Sequence, residues 1–336
     1  MSEGRSLLPR LLAGMVLLGS GAAAVLLLST GRPESSPPEG RGAAPRFTSS
    51  RQCESCHREL YAEWKRSHHA IAYTNPEVRK LSNDFRTKEC QDCHLPRPVF
   101  ETGIAEPPLP RQARPDEGVD CLTCHLAPNG RILGAKSNPK AGCAPLAEPG
   151  ISSVSLCETC HNQHQTTDQF RASKFAKEPG GCNACHMPVE ERKGRGGRRH
   201  VFEGAHDPAT LKKAARFEAR IEGDELLLEV RNDGAGHNFP TEERHRAVDV
   251  LYRVLEPGVE SGPWTPPFRR VYRFRQPYLG DPGPNTQLPA GRTWKGKVSL
   301  DGVPLGSRIQ CLLVYKLQPF VEDREATILH RRELRR

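Results

Sequence analysis

The hydrophobic pattern of the chain changes character along its length. Residues 11–28 form one continuous apolar run behind Arg5 and Arg10. Such a run predicts an export signal over 1–30, either cleaved or retained as a single N-terminal membrane anchor. Residues 31–47 are a Pro/Gly/Ser-rich linker with no periodicity. Between 48 and 215 apolar periodicity nearly vanishes. Helical spacing is readable at Arg58–Ile71, where Leu60, Tyr61 and Trp64 share a face, and at Asp207–Phe217, opened by Asp207 as N-cap and Pro208 at the first helical position. From 216 to 320 short alternating segments separated by Pro and Gly predict about six strands and an all-β sandwich-like domain. FEARIEGDELLLEVRN reads as a hairpin around Gly223 and Asp224, and Ile309, Cys311, Leu313 and Tyr315 share one strand face. Residues 321–336 read as a charged tail.

A segment as poor in apolar periodicity as 48–215 cannot build an ordinary core. With 336 residues, only 6% aromatic, and Gly and Pro at 30 each, partial disorder would be the default reading. The cysteines overturn it. Ten of the twelve lie in five C-x-x-C-H pentapeptides: CESCH (53–57), CQDCH (90–94), CLTCH (121–125), CETCH (157–161) and CNACH (182–186). Two thiols one helical turn apart can both reach the vinyl groups of one porphyrin, and the adjacent imidazole then meets the iron. Zinc sites do not require His after every second Cys, and a disulfide framework would not favour this spacing. The reading is five covalently attached haem c groups. Their anchors are Cys53, Cys56, Cys90, Cys93, Cys121, Cys124, Cys157, Cys160, Cys182 and Cys185. Their proximal ligands are His57, His94, His125, His161 and His186. The fold class expected is mixed: a haem-packed, mainly α/coil multihaem cytochrome domain over 48–215, followed by the small all-β domain.

The formal charge of +9 changes little. Five haems bring about ten propionate charges that offset it, and the basic residues form no aromatic-interleaved stripe, so nucleic acid is excluded as a partner. Distal ligation is constrained by composition. Methionine occurs only at 1, 15 and 187, and Met187 directly follows proximal His186. Eight further histidines remain: His68, His69, His164, His200, His206, His237, His245 and His330. Bis-histidine ligation favours low-potential electron transfer. His164 lies too close to His161 to cap the same iron and is assigned to a neighbouring one. His245 and His330 read as surface residues.

The segment CESCHRELYAEWKRSHHA fits C-x-x-C-H-x3-Y-x2-W-x2-S-x-H-A. With GVDCLTCH, LCETCHN, QFRASKF, CNACHMP, HVFEGAHD and GAGHNFPT, it resembles the multihaem cytochromes related to the tetrahaem electron carrier of ammonia oxidisers. The wider group includes hydroxylamine oxidoreductase and pentahaem nitrite reductase. The resemblance implies that His69, rather than His68, is a distal ligand, and nominates His200, His206 and His237 beside it. It also marks a departure: AKSNPKAGCAPLAEPGISSVS lacks the extra histidine many relatives carry there, leaving one haem short of a protein ligand. Cys143 in this stretch pairs with Cys311 or, equally, Cys311 is a buried free thiol. The function expected is an exported periplasmic, or otherwise extracytoplasmic, pentahaem cytochrome. It would be soluble after cleavage or anchored by 11–28, and would pass single electrons between redox partner proteins, a membrane complex among them. The alternative is a reductase or oxidase of a small nitrogen or sulfur species at one open haem. No C-x-x-C-K motif is present, and no catalytic residue is assigned.

Overall fold

A computed structural model describes residues 47–192, 195–241 and 244–336. The export segment and nearly all of the linker lie outside the described residues. Among the described residues no helix is long and apolar enough to cross a membrane.

The first part is a series of short helices joined by long turns: α1 (Arg51–Glu54), α2 (Arg58–Lys65), α3 (Pro76–Leu81), α4 (Glu89–His94), α5 (Cys121–His125), α6 (Val154–His161), α7 (Thr166–Arg171), α8 (Gly181–His186) and α9 (Pro208–Ala214). Two small ladders interrupt them, β1 (Leu133–Gly134) with β2 (Leu146–Ala147), and β3 (Val189–Arg192) with β4 (Arg195–Arg198). The helix expected over Arg58–Ile71 stops at Lys65. The Ser67 hydroxyl donates to the Trp64 carbonyl and accepts from the Ala70 amide, drawing the backbone into a turn. The Asp207 cap is present, its carboxylate accepting from the Thr210 amide. Buried apolar residues are few and scattered here, Trp64, Phe85, Leu122 and Phe170 among them.

The second part holds β5 (Arg216–Glu222), β6 (Glu225–Arg231), β7 (Ala247–Leu255), β8 (Arg269–Phe274), β9 (Thr293–Ser299), β10 (Arg308–Lys316) and β11 (Thr327–Arg335). They form two antiparallel sheets, ordered β5-β6-β9 and β11-β10-β7-β8. One continuous core lies between them, including Phe217, Leu228, Val250, Phe274, Ile309, Cys311, Leu313 and Tyr315. The face shared by Ile309, Cys311, Leu313 and Tyr315 is therefore the inward face of β10. Its other face is also covered, since Leu312 and Val314 pack under Trp264 and Phe268.

The tail is a correction. Residues 327–335 are not an unpatterned appendage but strand β11, paired with β10 from Arg308 to Tyr315. Leu329 reaches the core while Arg331, Arg332 and Glu333 face water, the composition of a protected edge strand. Cys143 and Cys311 are both free thiols, and Cys311 is sealed in the sandwich.

Candidate metal centres

Every C-x-x-C-H motif ends or adjoins a short helix, which puts its two thiols three residues apart on one side. Local capping explains why so short a helix forms. Asp120 and Thr123 make a reciprocal capping box at the start of α5, and Ser153 caps α6.

The motif imidazoles of His94, His125 and His186 are fixed by hydrogen bonds to backbone carbonyls. Nδ1 of His94 donates to Ala72 O at 2.9 Å, His125 to Leu133 O at 2.9 Å and His186 to Glu203 O at 2.7 Å. Two of the distal candidates do the same, His200 to Arg198 O at 2.9 Å and His237 to Asn238 O at 2.9 Å. A carbonyl can only accept, so Nδ1 carries the proton and Nε2 presents its lone pair. That is the tautomer a metal requires.

Pairs of imidazoles from distant parts of the chain then face one another. The ring centroids of His69 and His161 are 6.0 Å apart, those of His125 and His200 6.4 Å, and those of His186 and His237 6.3 Å. A nitrogen bound to a metal at about 2 Å puts its ring centroid about 3 Å away, so two axial imidazoles have centroids about 6 Å apart. All three separations match an iron between the rings. The donor set therefore fits haem c: paired thiols, a motif imidazole, and a second imidazole at the axial distance. Burial, reinforced by His161 and other neighbouring imidazoles, lowers the His69 pKa to about 3, keeping it in the neutral form that can ligate.

The other candidates fall differently. His68 and His206 are exposed and stack on each other at 3.8 Å, too close for an iron between them, so His206 is not brought opposite a motif histidine. His164 lies beyond the end of α6, its Nδ1 buried with no hydrogen-bond partner. Among the described residues no imidazole faces His57 at the axial distance; His57 is exposed. His245 and His330 are partly buried rather than free on the surface. Tyr278 Oη lies 2.6 Å from His245 Nδ1, and His330 Nε2 donates to Ala215 O at 2.7 Å, tying β11 to the end of α9.

Three supports were not foreseen from the sequence. Glu63 on α2 is buried and accepts from the His200 amide at 2.8 Å and from Arg192 at 2.5 Å. Burial pushes its carboxyl up, but these two donors outweigh that and hold it below the usual range. Arg198 donates to the carbonyls of Asn183 and Met187, binding the β3–β4 hairpin to α8. Phe202 lies between His69 and His200. The glycine of GVDCLTCH also has a local cause: Gly118 has φ +46° and a Cβ there would sit 2.3 Å from His69 O.

The thiols of different motifs meet. Cys53 lies beside Cys121, Cys157 beside Cys182 and Cys160 beside Cys93, and Cys124 lies close enough to Cys157 and Cys160 to raise both.

The family model described as cytochrome c554 and c-prime matches residues 52–126, which hold the first three motifs. No curated protein matches the chain. Among solved structures, a penta-haem cytochrome c552 from Thermochromatium tepidum is similar with a TM-score of 0.62 at 19% identity, covering 86% of this chain and 98% of that one. A superoxide reductase matches 37% of this chain and 86% of its own at 13% identity, with a TM-score of only 0.19. The family match supports a c-type cytochrome segment over residues 52–126, and the likeness to the cytochrome c552 shows a shared fold across most of the chain.

Proposed function

We propose that this protein is an exported pentahaem c-type cytochrome that carries single electrons between extracytoplasmic redox partners. The observation that carries the reading is the set of three histidine pairs at axial separation, each joining a motif to a remote part of the chain. Bound at the five motifs, haem c supplies one-electron iron chemistry with no proton or group transfer. The chain's own part is to hold and space the sites. His161 with His69, His125 with His200, and His186 with His237 would hold the iron between them, and Nδ1-to-carbonyl bonds fix the rings of His125, His186, His200 and His237. Contacts between attachment cysteines order the sites: first against third, third against fourth, and fourth against both second and fifth. Two imidazoles at each of these three sites would keep the potentials there low.

The test is direct. The intact mass of matured protein should exceed that of its polypeptide by five haem groups, and the oxidised protein should show at least three low-spin irons by electron paramagnetic resonance. Four or fewer haems, or a mainly high-spin spectrum, would contradict the reading.

A further inference from the structure

We propose that Phe202 is a positioning residue shared by two metal centres, fixing the ring planes of both His69 and His200. The inference rests on the ligation reading above. Phe202 meets the His69 ring edge-on, with centroids 4.3 Å apart and planes at 63°, and the His200 ring at 5.8 Å and 83°. Those two imidazoles belong to different pairs, facing His161 and His125 respectively. One benzene ring therefore contacts the second ligand of two neighbouring centres.

The backbone shows that this placement is enforced. Phe202 has φ +55°, the left-handed region that a bulky residue rarely adopts. The glycine two residues on, Gly204, does not take that conformation; the phenylalanine does. Five other candidate imidazoles have Nδ1 held by a carbonyl, but among the described residues no hydrogen bond holds the ring of His69. The Phe202 edge fills that role, since edge-to-face contact prefers one relative orientation. His200 is held from two directions, by the Arg198 carbonyl and by Phe202.

The angle between two axial imidazole planes sets the g-values of a low-spin ferric haem, so the ring's role has a spectroscopic readout that folding alone does not move. The experiment compares Phe202→Ala, Phe202→Tyr, His69→Ala and His200→Ala in the full haem-loaded chain. Each histidine variant should convert one low-spin centre to high spin. Phe202→Ala should keep all haems and all low-spin centres, yet shift the g-values of two of them together. Phe202→Tyr, which retains the ring, should restore the parent spectrum. If the histidine variants leave the low-spin count unchanged, the ligation reading fails and the inference fails with it. If they behave as stated but Phe202→Ala moves no signal, moves only one, or moves every centre alike, the ligation reading stands and the shared positioning role is overturned.

Discussion

An imidazole becomes an iron ligand by satisfying three conditions: it must be neutral, present Nε2, and stand at the axial distance. The surroundings of His237 supply the last two. Asn238 O holds its Nδ1 proton, and the turn carries its ring to 6.3 Å from His186. Asn232 keeps the turn in place, donating to His237 O and Leu288 O. His237→Ala should convert one low-spin iron to a high-spin form that binds carbon monoxide when reduced, with the haem count unchanged because the thioethers remain. His68→Ala should do neither, since its ring stacks on the exposed His206. An unaltered low-spin spectrum in His237→Ala would reduce this residue to part of a turn. The ligand candidates could be named from the sequence because composition left few alternatives to histidine. Their pairing was not legible: His125 and His200 meet through a hairpin whose pattern says nothing of its destination. The stacking that takes His206 to His68 has no local sequence signal either.

Among the elements, legibility followed how much of each was decided locally. The strands of the sandwich stand where the pattern puts them, although β7 and β10 are buried on both faces. β11 escaped notice because a charged edge strand has one dry face, and Leu329 alone among its residues is fully buried. The Arg58–Ile71 helix was overdrawn because apolar spacing continues after Ser67 has ended it. Between β6 and β7 one glycine is required by packing. Gly234 needs no positive φ; it is a point of close approach, and a Cβ there would lie 1.8 Å from the Lys213 carbonyl oxygen at the end of α9. That oxygen belongs to the backbone and not to a flexible side-chain tip, so the backbone itself must move. Gly234→Ala should therefore destabilise by an amount in the upper part of roughly 0.5–3 kcal/mol. It should also disturb the centre containing His237, three residues away. A melting temperature equal to the parent's, with that centre intact, would show that α9 and the turn can separate at no cost.

At the scale of the whole molecule, the two parts are held by different forces, and alkali should separate them. On the proposed reading the first part rests on its haem sites and on scattered contacts. The sandwich rests on a continuous apolar core that also contains two acids, Cys311 and Tyr315, on the inward face of β10. Burial pushes Cys311 from 9.0 up to about 12. Burial likewise pushes Tyr315 from 10.0 up to about 12, only partly opposed by Arg246. Both folded-state values are raised, so the unfolded chain releases these protons at lower pH than the native one. The stability they contribute is complete below about pH 9 and is lost as pH rises toward about 12. The sheet signal in circular dichroism should therefore fail within that window. His237 is the one proposed ligand carried by the sandwich, on the β6–β7 connection, whereas His69, His161, His125 and His200 lie outside it. Loss of the sandwich should accordingly remove one low-spin centre and leave the other two pairs intact, with every haem still covalently attached. Cys311→Ala, which removes one of the two acids, should make stability fall less steeply with pH across the same window. If all low-spin signals vanish together with the sheet, the two parts unfold as one unit; if the sheet is lost and every low-spin signal persists, His237 does not bind iron.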